Sequence, residues 1–338
     1  MAEFKDLIKS INIDGNDGKA FEVLCKWFLK TDPYWKTQVD QVWLWDEWPE
    51  RLQKTDLGID LVFKHKNGEL WSVQAKCFAE TTAVTKAHMD SFMSESGRYP
   101  SLLKRQLLFA ATNQIQDNAR TLLEKREMPV VQYLLKDFET AEVTYPSHIS
   151  KLSKPQPKKE FQDRPYQHAA VDAVELRFKE QDRGQLIMAC GTGKTFVTLW
   201  IKERLRASST LVLLPSLSLL GQTMREWTSN CSEPFDVLCV CSDSTVGKRD
   251  REEDVLVAEA PFKVTSDVDE INTFLSKESD KVIFCTYQSS ELISEAQDNH
   301  IFDLIVADEA HRCVGSATAT FTRVLDKDSI KANKRLFT

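Results

Sequence analysis

Long apolar runs, an excess of basic residues, paired-cysteine motifs and internal repeats are all missing from this 338-residue chain. No apolar stretch approaches the ~18 residues needed to cross a bilayer. The opening segment, MAEFKDLIKSINIDGNDGKA, has no secretory hydrophobic core. Eight cysteines occur without a CxxC pair, which argues against a zinc ribbon or a disulfide scaffold and fits reduced thiols. Cys239 and Cys241, two apart in an apolar run, read as small core residues on one side of a strand. These absences predict a cytoplasmic protein with no membrane partner. The formal net charge is −7. Residues 1–150 carry 19 basic and 22 acidic side chains and the remainder 25 and 29, so neither half is basic. Any nucleic-acid site must therefore be a local groove rather than a positively charged domain.

What is present is the composition of an ordinary globular protein, 42% hydrophobic and 28% charged, at a length sufficient for two cores. The clearest break is KLSKPQPKKE at 151–160, a proline- and lysine-rich stretch expected to be an exposed linker between a domain at 1–150 and one at 161–338. Six of the eight tryptophans fall within the first 71 residues. The first domain opens with helical spacing over 17–30 (Phe21, Leu24, Trp27, Phe28). Two short strands follow, IDLVFKH and ELWSVQAKC, around Lys66-Asn67-Gly68, a hairpin signal. A strand near 106–112, a helix near 115–127 and a strand near 129–135 complete an α/β unit. After the linker, strand-like runs GQLIMA (184–189), TLVLLP (210–215), FDVLCVC (235–241), KVIFCTY (281–287), FDLIVAD (302–308) and the terminal KRLFT alternate with helical segments. Near-continuous apolar strands of this kind predict a doubly wound parallel sheet covered on both faces.

The strongest local signal is Met188-Ala189-Cys190-Gly191-Thr192-Gly193-Lys194-Thr195, directly after a strand and opening a helix. Gly191 and Gly193, on either side of Thr192, let the backbone wrap close to phosphates, and helix-start N–H groups favour anionic oxygens. Lys194 is placed to reach the β- and γ-phosphates and Thr195 to ligate Mg²⁺. The strict phosphate-loop pattern wants Gly where Met188 stands. FDLIVADEAH supplies the complement: Asp308, at a strand end, is suited to hold Mg²⁺, and Glu309 to polarise a water for attack on the γ-phosphate. This half is expected to bind ATP.

GTGKT, Asp308-Glu309-Ala310-His311 and Arg164-Pro165-Tyr166-Gln167 together resemble a superfamily-2 helicase or translocase. The resemblance implies a RecA-like fold, adenine reading by Gln167, and backbone contacts to nucleic acid from PSLSLLGQT (215–223) and Thr286-Tyr287-Gln288-Ser289. Ser216 and Gln288 taken singly fit a solvated loop nearly as well. Such motors need a second RecA-like lobe. The chain stops at Leu336-Phe337-Thr338, within what resembles motif III, and alone is expected to bind ATP better than it hydrolyses it.

In the first domain Glu22 stands on the opening helix, Asp60 on one strand, and Gln74 and Lys76 on the next, two apart and so on one face. A two-residue Asn67-Gly68 turn pairs 60 with 75. A three-residue loop with Gly68 left-handed pairs 65 with 69 and 60 with 74, which gathers Asp60, Gln74 and Lys76 on one face. That arrangement suits a hard divalent cation bound through oxygens, with a lysine beside a scissile phosphate. The plainer alternative is a solvated strand face with an incidental Asp–Lys pair. Lys54, Asp56 and His65 read as surface residues, with Asp56 a second-choice ligand.

GKAFE, GIDLV, QAK and FAATNQIQDNARTLLEK resemble Mrr-like nucleases of the PD-(D/E)xK superfamily, which implies a mixed sheet with flanking helices. In that family Glu22, Asp60 and Gln74 correspond to metal-site residues and Lys76 to the catalytic lysine. Gln74 replaces the usual acid and leaves one fewer negative charge on the metal. The order nuclease–linker–ATPase, with VWLWDEWPERLQKTDLGIDLV and MACGTGKT, is similar to the amino-terminal part of type ISP restriction–modification enzymes. It implies double-stranded DNA as partner, Mg²⁺ and ATP as cofactors, and a second lobe, a methyltransferase and a target-recognition domain in the full-length protein. Two rival expectations are a repair helicase whose nuclease fold binds without cutting, and an inactive truncated remnant.

Overall fold

The computed structural model describes residues 3–13, 17–51, 58–124, 130–152, 163–189, 191–242, 260–310, 326 and 329–338. Lys54, Asp56, Cys190, His311 and most of the expected linker lie outside the described residues. The chain divides into two compact units, one up to Glu160 with a short segment ending at Phe262, the other the remainder.

The first unit runs α1 (Phe4–Ile13), α2 (Asp17–Thr31), α3 (Pro33–Gln38), β1 (Val39–Leu44), β2 (Leu61–His65), β3 (Leu70–Lys76), α4 (Lys86–Ser96), β4 (Leu103–Ala110), α5 (Asp117–Glu124), β5 (Val131–Tyr133) and α6 (Leu135–Thr140). Its five strands lie in the order β1-β2-β3-β4-β5. The first two pairings are antiparallel and the last two parallel. This is the mixed sheet implied by the sequence. Trp45 and Trp48 enter a core with Ile59, Val62, Met89 and Phe92, and Phe28, Phe109, Tyr133 and Phe138 pack ring against ring. The tryptophan-rich segment is thus largely core, and its first part is the edge strand β1, which turn and periodicity signals left unassigned.

The second unit runs α7 (Pro165–Glu180), β6 (Arg183–Gln185), α8 (Lys194–Arg204), β7 (Ser209–Leu214), α9 (Leu217–Asn230), β8 (Asp236–Val240), α10 (Val268–Leu275), β9 (Lys281–Thr286), α11 (Ser290–Ala296), β10 (Phe302–Ala307) and β11 (Ala332–Phe337). Six strands in the order β6-β11-β10-β7-β9-β8 form a sheet in which every pairing is parallel. Every residue of β7 and β9 is buried, as expected for inner strands covered on both faces. The expected strand at 184–189 is shorter. Strand β6 ends at Gln185 and pairs with β11 over three residues, and Ile187 is 84% exposed. An edge position gives the apolar run no second neighbour to extend it. Among the described residues no helix is long and apolar enough to cross a membrane.

Candidate functional sites: a carboxylate–amide cluster and a phosphate loop

The hairpin between β2 and β3 decides the first cluster. Leu61 faces Val73 and Lys64 faces Leu70, so Asp60 falls opposite Gln74. The His65 N–H donates to the Glu69 carbonyl (2.8 Å) and the Gly68 N–H to the His65 carbonyl (2.9 Å). Gly68 takes φ +94°, a left-handed conformation that glycine adopts without a Cβ penalty. This is the three-residue loop, not the two-residue turn.

Asp60 and Gln74 are both buried. Asp60 Oδ2 accepts from Gln74 Nε2 (2.7 Å) and from the Ala75 N–H (2.5 Å). Burial pushes the Asp60 carboxyl up to about 7, the negative charge of Glu22 adds to the rise, and the two hydrogen bonds and Lys76 oppose it. Gln74 has committed its amide nitrogen to Asp60, and its Oε1 is buried with no hydrogen-bond partner. Such an orphan acceptor is costly unless it has an unseen ligand. Glu22, on α2, brings its carboxylate to the same neighbourhood, and Lys19 Nζ lies 2.9 Å from Glu22 Oε2. The thiol of Cys25, one turn further along α2, is pushed up by burial first and then by the charge of Asp60. Among the described residues no group of three His, Cys, Asp or Glu side chains is placed to hold a metal ion. The oxygen-bearing side chains gathered here are two carboxylates and one amide.

His65 departs from expectation. It is buried rather than a surface residue, stacked on Trp71, with Nδ1 2.7 Å from Asn67 Oδ1 and Nε2 3.0 Å from Gln38 Oε1. The loop residue Asn67 and α3 together cover it. These contacts link the hairpin turn to α3.

In the second unit, the phosphate loop lies between β6 and α8. Gly191 and Gly193 take φ +72° and +83°, and a Cβ on Gly193 would stand 2.4 Å from Gln167 Nε2. Gln167, almost wholly buried, is held at both ends. Its Oε1 accepts from the Arg164 N–H (2.8 Å), capping α7, and its Nε2 donates to the Thr192 carbonyl (3.0 Å). Tyr166 donates its hydroxyl to the same carbonyl (3.2 Å). The Trp227 indole N–H donates to the Thr195 carbonyl (3.0 Å), tying α9 to the first turn of α8.

The carboxylates sit where β10 ends. Lys194 Nζ is 3.3 Å from Glu309 Oε1, so the ammonium expected to meet phosphate oxygens meets a carboxylate here. Glu309 has φ +53°, uncommon for a residue with a side chain. Asp308 Oδ1 accepts from the Thr338 hydroxyl (2.6 Å) and the Glu309 N–H (3.0 Å), and the Asp308 carbonyl accepts from the Tyr287 hydroxyl (2.8 Å). Thus Gly191, Thr192, Gly193, Lys194, Thr195, Gln167, Asp308 and Glu309 gather around the loop and the strand end it faces. Ser216 caps α9, its Oγ accepting from the Leu219 N–H (3.3 Å). Gln288 is exposed, whereas Thr286 and Ser289 are buried and bonded to each other (3.0 Å).

Sequence reasoning passed over Thr338, Tyr166, Tyr287 and Lys19 as site residues. Lys19 carried a usable signal, because it stands three residues before Glu22 on a helix and so shares its face. The contacts of Thr338 and Tyr287 with Asp308 cross between strands and leave no local trace in the chain.

Both halves of the chain resemble known proteins. Residues 30–154 match a restriction endonuclease family. Across the whole chain the fold superposes on an ATP-dependent Type ISP restriction-modification enzyme, LlaBIII bound to DNA, with a TM-score of 0.80 and 32% identity, covering 22% of that protein. The probable helicase A859L of African swine fever virus is 32% identical over 178 residues, 52% of this chain and 19% of the viral protein. This holds for both isolate Pig/Kenya/KEN-50/1950 and the Vero-adapted Badajoz 1971 strain. The chain therefore spans about a fifth of the length of the relatives it matches. Residues 160–337, more than half of the chain, match the type III restriction enzyme res subunit family, and the chain belongs to that family.

Proposed function

We propose that this chain is the nuclease-and-motor portion of an ATP-dependent restriction endonuclease that cuts double-stranded DNA. Both matched families are restriction-enzyme families, hydrolases by class. The observation that carries the nuclease reading is the buried, partnerless Oε1 of Gln74 beside Asp60. Asp60, Gln74 and Glu22 fit a hard divalent cation, and Mg²⁺ is the proposed one. Bound there, it would neutralise charge on the scissile phosphate and acidify a water. Asp60 Oδ2 is already held by two N–H donors, which leaves Oδ1 as the outward ligand. Gln74 orients Asp60 with its nitrogen and offers its oxygen. Lys76, two residues on and on the same strand face, sets an ammonium against the phosphate and the attacking oxygen.

In the second unit, the loop amides and Lys194 bind the β- and γ-phosphates of ATP, and Gln167 reads the adenine once its amide releases the Arg164 N–H and the Thr192 carbonyl. Thr195 and Asp308 fit the nucleotide's Mg²⁺. Lys194 exchanges its Glu309 partner for phosphate, which frees Glu309 to accept a proton from the attacking water. The full-length protein is proposed to add a second RecA-like lobe, a methyltransferase and a target-recognition domain, and to work in the cytoplasm. The domain division is proposed at 1–150 and 161–338, with 151–160 as linker.

Nicking of supercoiled plasmid in Mg²⁺ or Mn²⁺ tests the nuclease half. The chain should nick, and Lys76→Ala should lower the rate by about 10²-fold or more while leaving ATP affinity unchanged. Equal nicking by both proteins would remove the cluster from the chemistry. Nicking by neither would reduce the first unit to a DNA-docking module.

A further inference from the structure

We infer that Lys19 is a tethered counter-ion of the Asp60–Gln74–Glu22 cluster, which competes with a divalent cation for Glu22. This rests on the reading of that cluster as a cation site. Lys19 and Glu22 are three residues apart on α2 and share its face. Lys19 Nζ lies 2.9 Å from Glu22 Oε2 and 3.9 Å from Asp46 Oδ1. The glutamate side chain is only 12% exposed, the lysine 46%. The carboxylate is therefore fixed in a largely enclosed place, while its partner reaches it from the solvent side.

Two neighbouring carboxylates of little exposure repel each other and lose hydration, and a nearby positive charge relieves both penalties. Without a metal, the ammonium of Lys19 supplies that charge. An ammonium and a divalent cation compete for the same carboxylate, because their own repulsion grows steeply at contact separations. Gln74 Oε1, buried and without a partner in the same cluster, is a donor that the ammonium leaves unused. The lysine thus satisfies the cluster's charge and not its full set of oxygens. Asp46, 63% exposed, offers the displaced ammonium a second acceptor toward solvent. The exchange moves Lys19 from one carboxylate to another and needs no rearrangement of the sheet.

Calorimetric titration of the whole chain with Mn²⁺ at pH 8 tests this. The proteins compared are the wild type, Lys19→Met, Glu22→Gln, the double variant, and Asp60→Asn as the marker of the site. Thermal melts verify that each is folded, and Lys19→Gln replaces Lys19→Met if the latter melts early. Lys19→Met should tighten Mn²⁺ binding by about two- to fivefold, the range of a partly screened ion pair. In the Glu22→Gln background the same substitution should change nothing. Unchanged or weaker binding in Lys19→Met overturns the inference, as does an equal gain in the Glu22→Gln background, which would mean a general field effect. Mn²⁺ binding insensitive to Asp60→Asn, or no binding at all, overturns the cation-site reading and this inference with it. Binding that depends on Asp60 and ignores Lys19 overturns the inference alone.

Discussion

The two clusters solve the problem of holding charge in opposite ways. In the first unit the key acid is buried within the sheet beside another acid, and its carboxyl is pushed up to about 7. In the second the acids stand at the end of a parallel strand, part-exposed, with Lys194 3.3 Å from Glu309. The first site holds a buried amide oxygen, Gln74 Oε1, with no hydrogen-bond partner. The second is closed on itself by the Lys194–Glu309 ion pair. Parallel strands place loop and helix N-termini at one end of the sheet, so an anion site there comes from backbone. The hairpin has no such end, and its site depends on side chains set by register.

Breaking the backbone-built site should have the largest effect. Gly193→Ala would place a Cβ 2.4 Å from Gln167 Nε2 at φ +83°. We expect at least a tenfold loss of ATP affinity by fluorescent-nucleotide titration, with about 1–3 kcal/mol of lost stability from the strained conformation. Metal binding in the first unit should be untouched. A loss at both sites would contradict their independence.

Titration sharpens the other side. Asp60 has a folded-state value of about 7 against an ordinary 3.8, so the folded protein holds this proton more tightly than the unfolded chain. The associated stability is present below about 3.8 and is lost as pH rises through about 7. A cation competes with the proton, so its affinity should climb up to tenfold per pH unit below about 7 and level off above. Asp60→Asn should abolish this binding while raising stability at pH 8 by something on the order of 1–4 kcal/mol, read from denaturant melts at several pH values. An acid limb that survives in Asp60→Asn would assign the proton elsewhere.

The smallest effect concerns the support of Asp308. Tyr287→Phe removes the hydroxyl that donates to the Asp308 carbonyl and should cost about 1 kcal/mol in the melting of the second unit. A change in the first unit's melting would mean that the substitution acts beyond its own site.

How far each site was legible follows from the same contrast. The phosphate loop, the acids after β10 and the parallel strands leave local marks: glycines beside Lys194, acids closing an apolar run, near-continuous buried strands. The hairpin cluster was legible only as two alternatives, since Asn67-Gly68 admits two turns and one residue of slip moves Asp60 from one side of β3 to the other. His65 was misread as a surface residue because its cover comes from α3, Trp71 and the turn, distant or unmarked in sequence. The short β6 was overread because an apolar run carries no sign that it lies at a sheet edge.

By itself the sequence determined the chemistry available: which residue types stand beside which along the chain, and hence the phosphate loop, the strand-end acids and the alternating elements. Tertiary structure alone decided what those residues meet. It set Asp60 against Gln74 Nε2 and the Ala75 N–H, left Gln74 Oε1 without a partner, and brought Thr338 and Tyr287 to Asp308. The physical reason is that backbone propensity and turn chemistry act over a few residues, whereas the burial and the paired charges that set a carboxylate's behaviour come from residues that only packing brings together.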